Sequence, residues 1–170
     1  PDAHVVVTPS DHYIQNDELF CQTIEYAFDF VAEKDVFMTL GLVPTRPDSN
    51  YGYIQACGGK DAYKSDEPMP VKTFTEKPDK ELAKIFINTG EFFWNSGILV
   101  WKAGTFRHEM EKHLPQVTGL FKGWENALGT EIEDEFIMRI FTECQNISIN
   151  YGVMEKTDKA WMYPAKFDWQ

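Results

Sequence analysis

Two ionisable side chains of opposite sign stand side by side at Glu76 and Lys77, directly before Pro78. The residues ahead of them, Val71-Lys72-Thr73-Phe74-Thr75, alternate with a two-residue period and include β-branched and aromatic members, which predicts a strand. Pro78 cannot donate to a sheet ladder and turns the preceding residue away from helix, so the strand is expected to end at about Lys77. That puts a carboxylate and an ammonium at the carboxyl end of a strand, where open α/β sheets bind ligands. In the functional reading Glu76 accepts hydrogen bonds from hydroxyls and Lys77 meets a phosphate as a point charge. The competing reading is an ordinary exposed strand end.

Other candidates surround this pair. Asp11 follows an apolar run and Pro9, just past the end of a second strand, where a hard cation could meet an anionic ligand. It could equally cap its own loop, and His12 beside it is read as structural. Asn95 sits inside an apolar strand, where a buried amide needs partners from a ligand or from a neighbouring loop. Gly52 and Gly97 fit either close backbone approach to a ligand or bulges. No G-x-S-x-G, Walker loop or G-x-G-x-x-G occurs, and Gly58-Gly59-Lys60 leads into a Pro-containing loop, so it is a weak phosphate cradle.

These residues need a scaffold, and 170 residues suffice for one domain or a large piece of one. A hydrophobic fraction of 43% with 15% aromatics argues against disorder. The net charge of −11 works against non-specific binding to nucleic acid or an anionic membrane. Any phosphate ligand must therefore be held by a few placed cations, a metal or backbone N–H groups. Cys21, Cys57 and Cys144 have no paired spacing and read as buried or half-buried thiols of a reducing, cytoplasmic setting. No apolar run is long enough for a bilayer. Both chain ends read as cut.

In chain order, His4-Val5-Val6-Val7 predicts a strand buried on both faces. A helix capped by Asn16 or Asp17 and a second buried strand, Asp35 to Leu42, follow, so a βαβ unit with parallel strands is expected. Tyr51 to Cys57 is a strand containing Gly52, and Gly58 to Pro70 an exposed loop. Asp79 caps a helix to about Asn88 with Leu82, Ala83, Ile85 and Phe86 inward and Gly90 at its end. Phe92 to Trp101 is a strand, polar only at Asn95-Ser96-Gly97. Ala103 to Glu143 is broken helix, its last part carrying Ile132, Phe136, Ile137, Ile140 and Phe141 on one face. A short helix from Ser148 to Lys156 and a strand at Trp161 to Pro164 complete the chain.

Six segments carry a resemblance. Thr8-Pro9-Ser10-Asp11-His12, Gly41-Leu42-Val43-Pro44-Thr45, Tyr51-Gly52-Tyr53-Ile54, Phe74-Thr75-Glu76-Lys77-Pro78, Trp94-Asn95-Ser96-Gly97 and Ser148-Ile149-Asn150-Tyr151-Gly152-Val153-Met154-Glu155-Lys156 occur in order. Together they resemble the mannose-1-phosphate guanylyltransferase (GDP-mannose pyrophosphorylase) family. The resemblance implies an α/β, Rossmann-like nucleotidyltransferase fold with a mixed, mostly parallel sheet and flanking helices. Residues 1–170 would form the sugar-phosphate-binding part of a catalytic domain, truncated at both ends. The implied substrates are mannose 1-phosphate and GTP, with Mg²⁺ as cofactor. Self-association is left open.

By position, Asp11 resembles the family's metal-binding Asp, Lys77 the lysine on the sugar phosphate, and Glu76 and Asn95 the partners of sugar hydroxyls. Gly52 resembles the glycine bordering the sugar pocket, with Gly97 in the same Trp-Asn-Ser-Gly motif. Three departures stand out. The family's Gly-rich nucleotide loop lies upstream of Pro1, so the fragment alone is expected to be nearly inactive. Phe167-Asp168-Trp169-Gln170 looks like the start of a motif whose second metal-binding Asp follows Gln170, a role not assigned to Asp168. Asn150 stands where Asp is usual. Two rival readings remain: transfer to another sugar 1-phosphate or from another nucleotide, and a non-catalytic relative that binds sugar nucleotides. The main reading requires the Asp11 and Lys77 loops to border one cavity.

Overall fold

A computed structural model of the chain describes residues 2–167; the Asp168-Trp169-Gln170 stretch lies outside the described residues. The strands are β1 (His4–Val7), β2 (Phe37–Leu42), β3 (Tyr53–Ala56), β4 (Met69–Thr75), β5 (Phe92–Lys102) and β6 (Ala160–Pro164). The helices are α1 (Asp17–Glu33), α2 (Lys80–Thr89), α3 (Ala103–His113), α4 (Pro115–Leu120), α5 (Trp124–Ala127) and α6 (Glu133–Glu143). A 3₁₀ turn spans Gly59–Lys64 and a π-helical turn Asn150–Met154.

The strands form one mixed sheet in the order β1-β5-β2-β6-β4-β3, and β3 also pairs with β5, which closes five of the strands into a ring. β1, β2 and β3 all run antiparallel to a strand they share or flank, β5 or β4, and β6 runs parallel to β2. Four strands therefore point one way, while β4 and β5 oppose them. The mostly parallel expectation holds for strand direction but not for neighbours, since β2–β6 is the single parallel pairing among the described residues. β1, α1 and β2 do form a βαβ arrangement, with β5 inserted between the two strands. Periodicity reports faces, not which strand lies alongside, so this insertion is invisible before the chain is folded.

Local signals account for most elements. Asn16 caps α1 by accepting from Leu19 N at 3.0 Å, and Asp79 caps α2 by accepting from Leu82 N at 2.8 Å, each worth about 1 kcal/mol. Gly90 closes α2 with φ +71°, a conformation that favours glycine. β2 is buried at every position, as its apolar run predicts. One core layer gathers Ile24, Ala27 and Val31 of α1 with Met38, Leu40, Ile98 and Val100. A second joins Phe37, Phe93, Leu99, Trp101 and Met162 to Leu114, Val117 and Val153, and a third packs Ala83 and Phe86 of α2 on Leu42, Tyr53 and Trp94.

Several expectations need correction. β1 is not buried on both faces: it is an edge strand paired to β5, and Val6 and Val7 remain exposed. β4 stops at Thr75, leaving Glu76 and Lys77 just beyond the ladder. Gly52 precedes β3 rather than lying within it. Ile85 points to solvent and Ile87 is half-buried instead, because α2 turns that face away from Phe86. Along α6 only Ile140 is buried; Ile132, Ile137 and Phe141 are exposed. Cys21 and Cys57 are exposed and Cys144 half-buried, all three as free thiols. No helix among the described residues is long and apolar enough to cross a membrane.

Candidate functional site

The site is organised by β5. Its one edge is lined by β2 along most of its length. Its other edge is shared, by β1 opposite Leu99 to Lys102 and by β3 opposite Phe92 to Trp94. Asn95, Ser96 and Gly97 face the interval between them. Opposite this interval the β2 register shifts between Thr39 and Gly41, and Gly97 takes φ +76°, so the segment is a bulge. The carboxyl end of β1 reaches it from one direction, and Pro9 packs on Gly97, where an added Cβ would meet Pro9 Cγ at 3.1 Å. The carboxyl end of β4 reaches it from the other, because Thr75 pairs with Tyr53 and Tyr53 with Trp94.

Glu76, Gly52 and Asn95 thus fall side by side on adjacent segments. Asn95 N donates to Gly52 O at 2.8 Å. A Cβ on Gly52 would stand 2.8 Å from Glu76 Oε2 and 3.3 Å from Asn95 Cβ, so the absent side chain is what lets the carboxylate in. Asn95 is buried, and its amide orientation is fixed: Oδ1 accepts from Thr39 Oγ1 at 2.7 Å and from Gly97 N at 3.3 Å. The protein therefore satisfies the carbonyl half of Asn95, while its Nδ2 donor faces the Gly52 side and finds no protein acceptor among the described residues. Gly97's own N–H is engaged by Asn95.

Glu76 is half-buried and held from a distant part of the chain. Asn150 Nδ2 donates to its Oε2 at 3.1 Å, and its backbone N donates to Glu155 Oε1 at 2.9 Å. Burial pushes the Glu76 carboxyl above the usual range; the Asn150 donor and the Lys77 charge oppose this, and Glu155 adds to it. Lys77 is exposed and is the one non-glycine residue with positive φ among those described, +44°. A left-handed residue directly before proline is strained by roughly 1–2 kcal/mol, and such strain concentrates at ligand sites.

Asp11 is exposed, in the turn that follows Pro9, the residue that packs on the β5 bulge at Gly97. Among the described residues no hydrogen bond or ion pair joins it to Glu76, Lys77 or Asn95; its turn is tied to β5 through Pro9, whereas the β4 end is tied to β5 through Tyr53. Burial holds the neighbouring His12 imidazole below its usual range against the opposing pull of Asp11. No group of three His, Cys, Asp or Glu side chains that could hold an ion occurs among the described residues. A single carboxylate of this kind fits Mg²⁺, which takes one or two carboxylates plus phosphate oxygens, and not a calcium-type cage.

Thr39 and Glu155 are further members that the sequence reading did not single out. Thr39 had a signal: it is the hydroxyl within the apolar β2 run, and a buried hydroxyl requires a partner. Glu155 lies in the last of the six segments, but nothing local ties it to Glu76, since that contact depends on a fold-level return of the chain.

The family model for nucleotidyl transferases matches residues 1–158. The chain belongs to the nucleotidyl transferase family. Among curated members, mannose-1-phosphate guanylyltransferase of Salmonella montevideo is 33% identical over 174 residues, covering 99% of this chain and 36% of that protein. The chain thus spans about a third of the length of the curated relatives it matches. The crystal structure of mannose-1-phosphate geranyltransferase from Thermus thermophilus superposes with TM-score 0.79 at 28% identity, over 98% of this chain and 46% of that one. Mannose-6-phosphate isomerase from Helicobacter pylori superposes with TM-score 0.82 at 27% identity, over 98% and 63%. The α/β nucleotidyltransferase fold of this family member is the one the six segments imply.

Proposed function

We propose that the chain carries the sugar-phosphate side of an enzyme that transfers a guanylyl group from GTP to mannose 1-phosphate, giving GDP-mannose and pyrophosphate. The observation that carries the reading is the convergence of Glu76, Gly52 and Asn95 beside the strained Lys77. An acceptor carboxylate, an unpaired amide donor and a side-chain-free backbone suit vicinal hydroxyls, and the adjoining ammonium suits a phosphate. Membership of the nucleotidyl transferase family and the guanylyltransferase names of its curated relatives support the same reading.

In this mechanism a phosphate oxygen of the sugar phosphate forms a bond to the α-phosphorus of the nucleotide. The bond from that phosphorus to the oxygen bridging the β-phosphate breaks, and pyrophosphate leaves; no proton transfer is required. The protein's part is positioning and charge neutralisation. Lys77 holds the attacking phosphate close against like-charge repulsion, and Glu76 and Asn95 orient the sugar ring. Asp11 would hold Mg²⁺, which when bound offsets the negative charge of the phosphates. The three free thiols fit a reducing cytoplasm.

Calorimetric titration with mannose 1-phosphate tests the reading, with glucose 1-phosphate and free mannose as comparisons. Binding that favours mannose 1-phosphate and is lost in Lys77→Ala and Glu76→Ala is expected. Equal binding of glucose 1-phosphate would point to another sugar, and no binding of any sugar phosphate would reject the site.

A further inference from the structure

Glu109, on α3, is the one carboxylate among the described residues that is fully removed from solvent. It belongs to none of the six segments that carry the resemblance. Its Oε2 accepts from Thr157 Oγ1 at 2.8 Å and lies 3.2 Å from His113 Nε2 and 3.9 Å from Lys112 Nζ. Its Oε1 has no hydrogen bond and stands 3.6 Å from Lys159 Nζ. A buried ion cluster is weak evidence for stability, because an apolar residue of similar volume would serve the core as well; its attested use is to fix one arrangement over others.

The arrangement fixed here leads to Glu76. Thr157 N donates to Val153 O at 2.9 Å, tying it to the Asn150–Met154 turn. The next residue after His113, Leu114, packs against the same turn so closely that a Cβ on Gly152 would stand 2.7 Å from Leu114 Cδ1. The turn's first residue, Asn150, donates to the Glu76 carboxylate, and Glu155, one residue past its end, accepts from the Glu76 backbone. The platform is the carboxyl-terminal part of α3. What stands on it is a turn whose two ends both grip Glu76.

We propose that Glu109 is a positioning residue for the Glu76 carboxylate, acting through Thr157 and the Asn150–Met154 turn. The charged groups facing Glu109 are Lys112, His113 and Lys159; those facing Glu76 are Lys77 and Glu155. The consequence for ligand affinity rests on the sugar-phosphate reading above, whereas the consequence for the state of Glu76 does not.

The test follows the Glu76 carboxyl by ¹³C NMR titration, alongside calorimetry with mannose 1-phosphate and thermal melts, in Glu109→Gln, Thr157→Val and Thr157→Ser. Glu109→Gln and Thr157→Val are expected to move the Glu76 titration upward, since a loosened Asn150 donor no longer favours the ionised form. They should also weaken mannose 1-phosphate roughly tenfold. Thr157→Ser, which keeps the hydroxyl, should restore both. If Glu109→Gln does not fold, Thr157→Val, which leaves the carboxylate in place, decides. Lower melting temperatures with an unmoved Glu76 titration would overturn the proposal. A moved Glu76 titration in a protein that binds no sugar phosphate would uphold the positioning role and reject the functional reading alone.

Discussion

Asn150 donates from Nδ2 to Glu76 Oε2 over 3.1 Å, joining residues 74 positions apart. The other half of that amide, Oδ1, is buried and has no hydrogen-bond partner. An orphaned buried acceptor costs about 1–3 kcal/mol, so the side chain is held where it serves Glu76 and not where it would best satisfy itself. The resemblance marks position 150 as one where Asp is usual. An amide here supplies a donor to a carboxylate that burial and Glu155 both discourage from ionising.

Asn150→Asp replaces that donor with a second carboxylate at hydrogen-bonding distance from the first. Two carboxylates so close cannot both ionise, and one of them is pushed well above its usual range. A carboxyl raised in the folded state contributes stability at low pH that is lost as pH rises through its titration. The variant should therefore match the wild type near pH 4 and lose roughly 1–3 kcal/mol by pH 7. Thermal melts across that range check it.

Glu76→Gln tests the same balance from the other partner. Because the Glu76 carboxyl is raised, chiefly by burial, its ionised form opposes folding at neutral pH. The amide removes that opposition, so the variant should be the more stable of the two at pH 7 and equal to the wild type near pH 4. It should bind mannose 1-phosphate at least about tenfold more weakly, since hydrogen bonds to a charged acceptor are the stronger ones. Denaturant unfolding and calorimetry on the same samples separate the two effects.

Gly52→Ala adds a methyl group 2.8 Å from Glu76 Oε2. Its backbone conformation suits alanine, and the nearest atom is the end of a flexible side chain that can swing aside. Folding should change by less than about 1 kcal/mol. Sugar-phosphate affinity should fall by about tenfold or more, because the displaced carboxylate no longer faces the Asn95 donor. A stability loss with affinity intact would contradict this.

Lys77 combines strain with charge. Lys77→Gly and Lys77→Ala both remove the ammonium and should abolish measurable mannose 1-phosphate binding alike. They should differ in stability, the glycine variant being on the order of 1 kcal/mol the firmer of the two, since only glycine takes φ +44° without steric cost. Equal melting temperatures would show that the turn relaxes when the lysine is removed.

Much of this architecture is legible in residue order. Caps at Asn16 and Asp79, the closing Gly90, the all-apolar β2 and the polar interruption of β5 each follow from local chemistry. Faces decided by distant neighbours do not. The apolar run of β1 reads as doubly buried, but strand order leaves it at the edge; the stripe on α6 reads as core-facing, but only Ile140 meets the core. The candidate site divides the same way. Glu76, Asn95 and Gly52 stand out because a carboxylate, an amide and a glycine are unusual where they occur. Glu155 and Glu109 do not, because each matters through a contact made across the fold.

The sharing of one β5 edge by β1 and β3 makes that strand the ruler for both halves of the interval. The Pro9 turn and the Gly52–Glu76 wall are each indexed to it, one below the bulge and one above, and not to each other. Inserting or deleting a single residue between Asn95 and Leu99 would alter the spacing of the two along β5 while leaving each internally intact. In this scaffold, the length of one short bulge is thus a dial that sets how far apart the two flanking segments stand without redesigning either side.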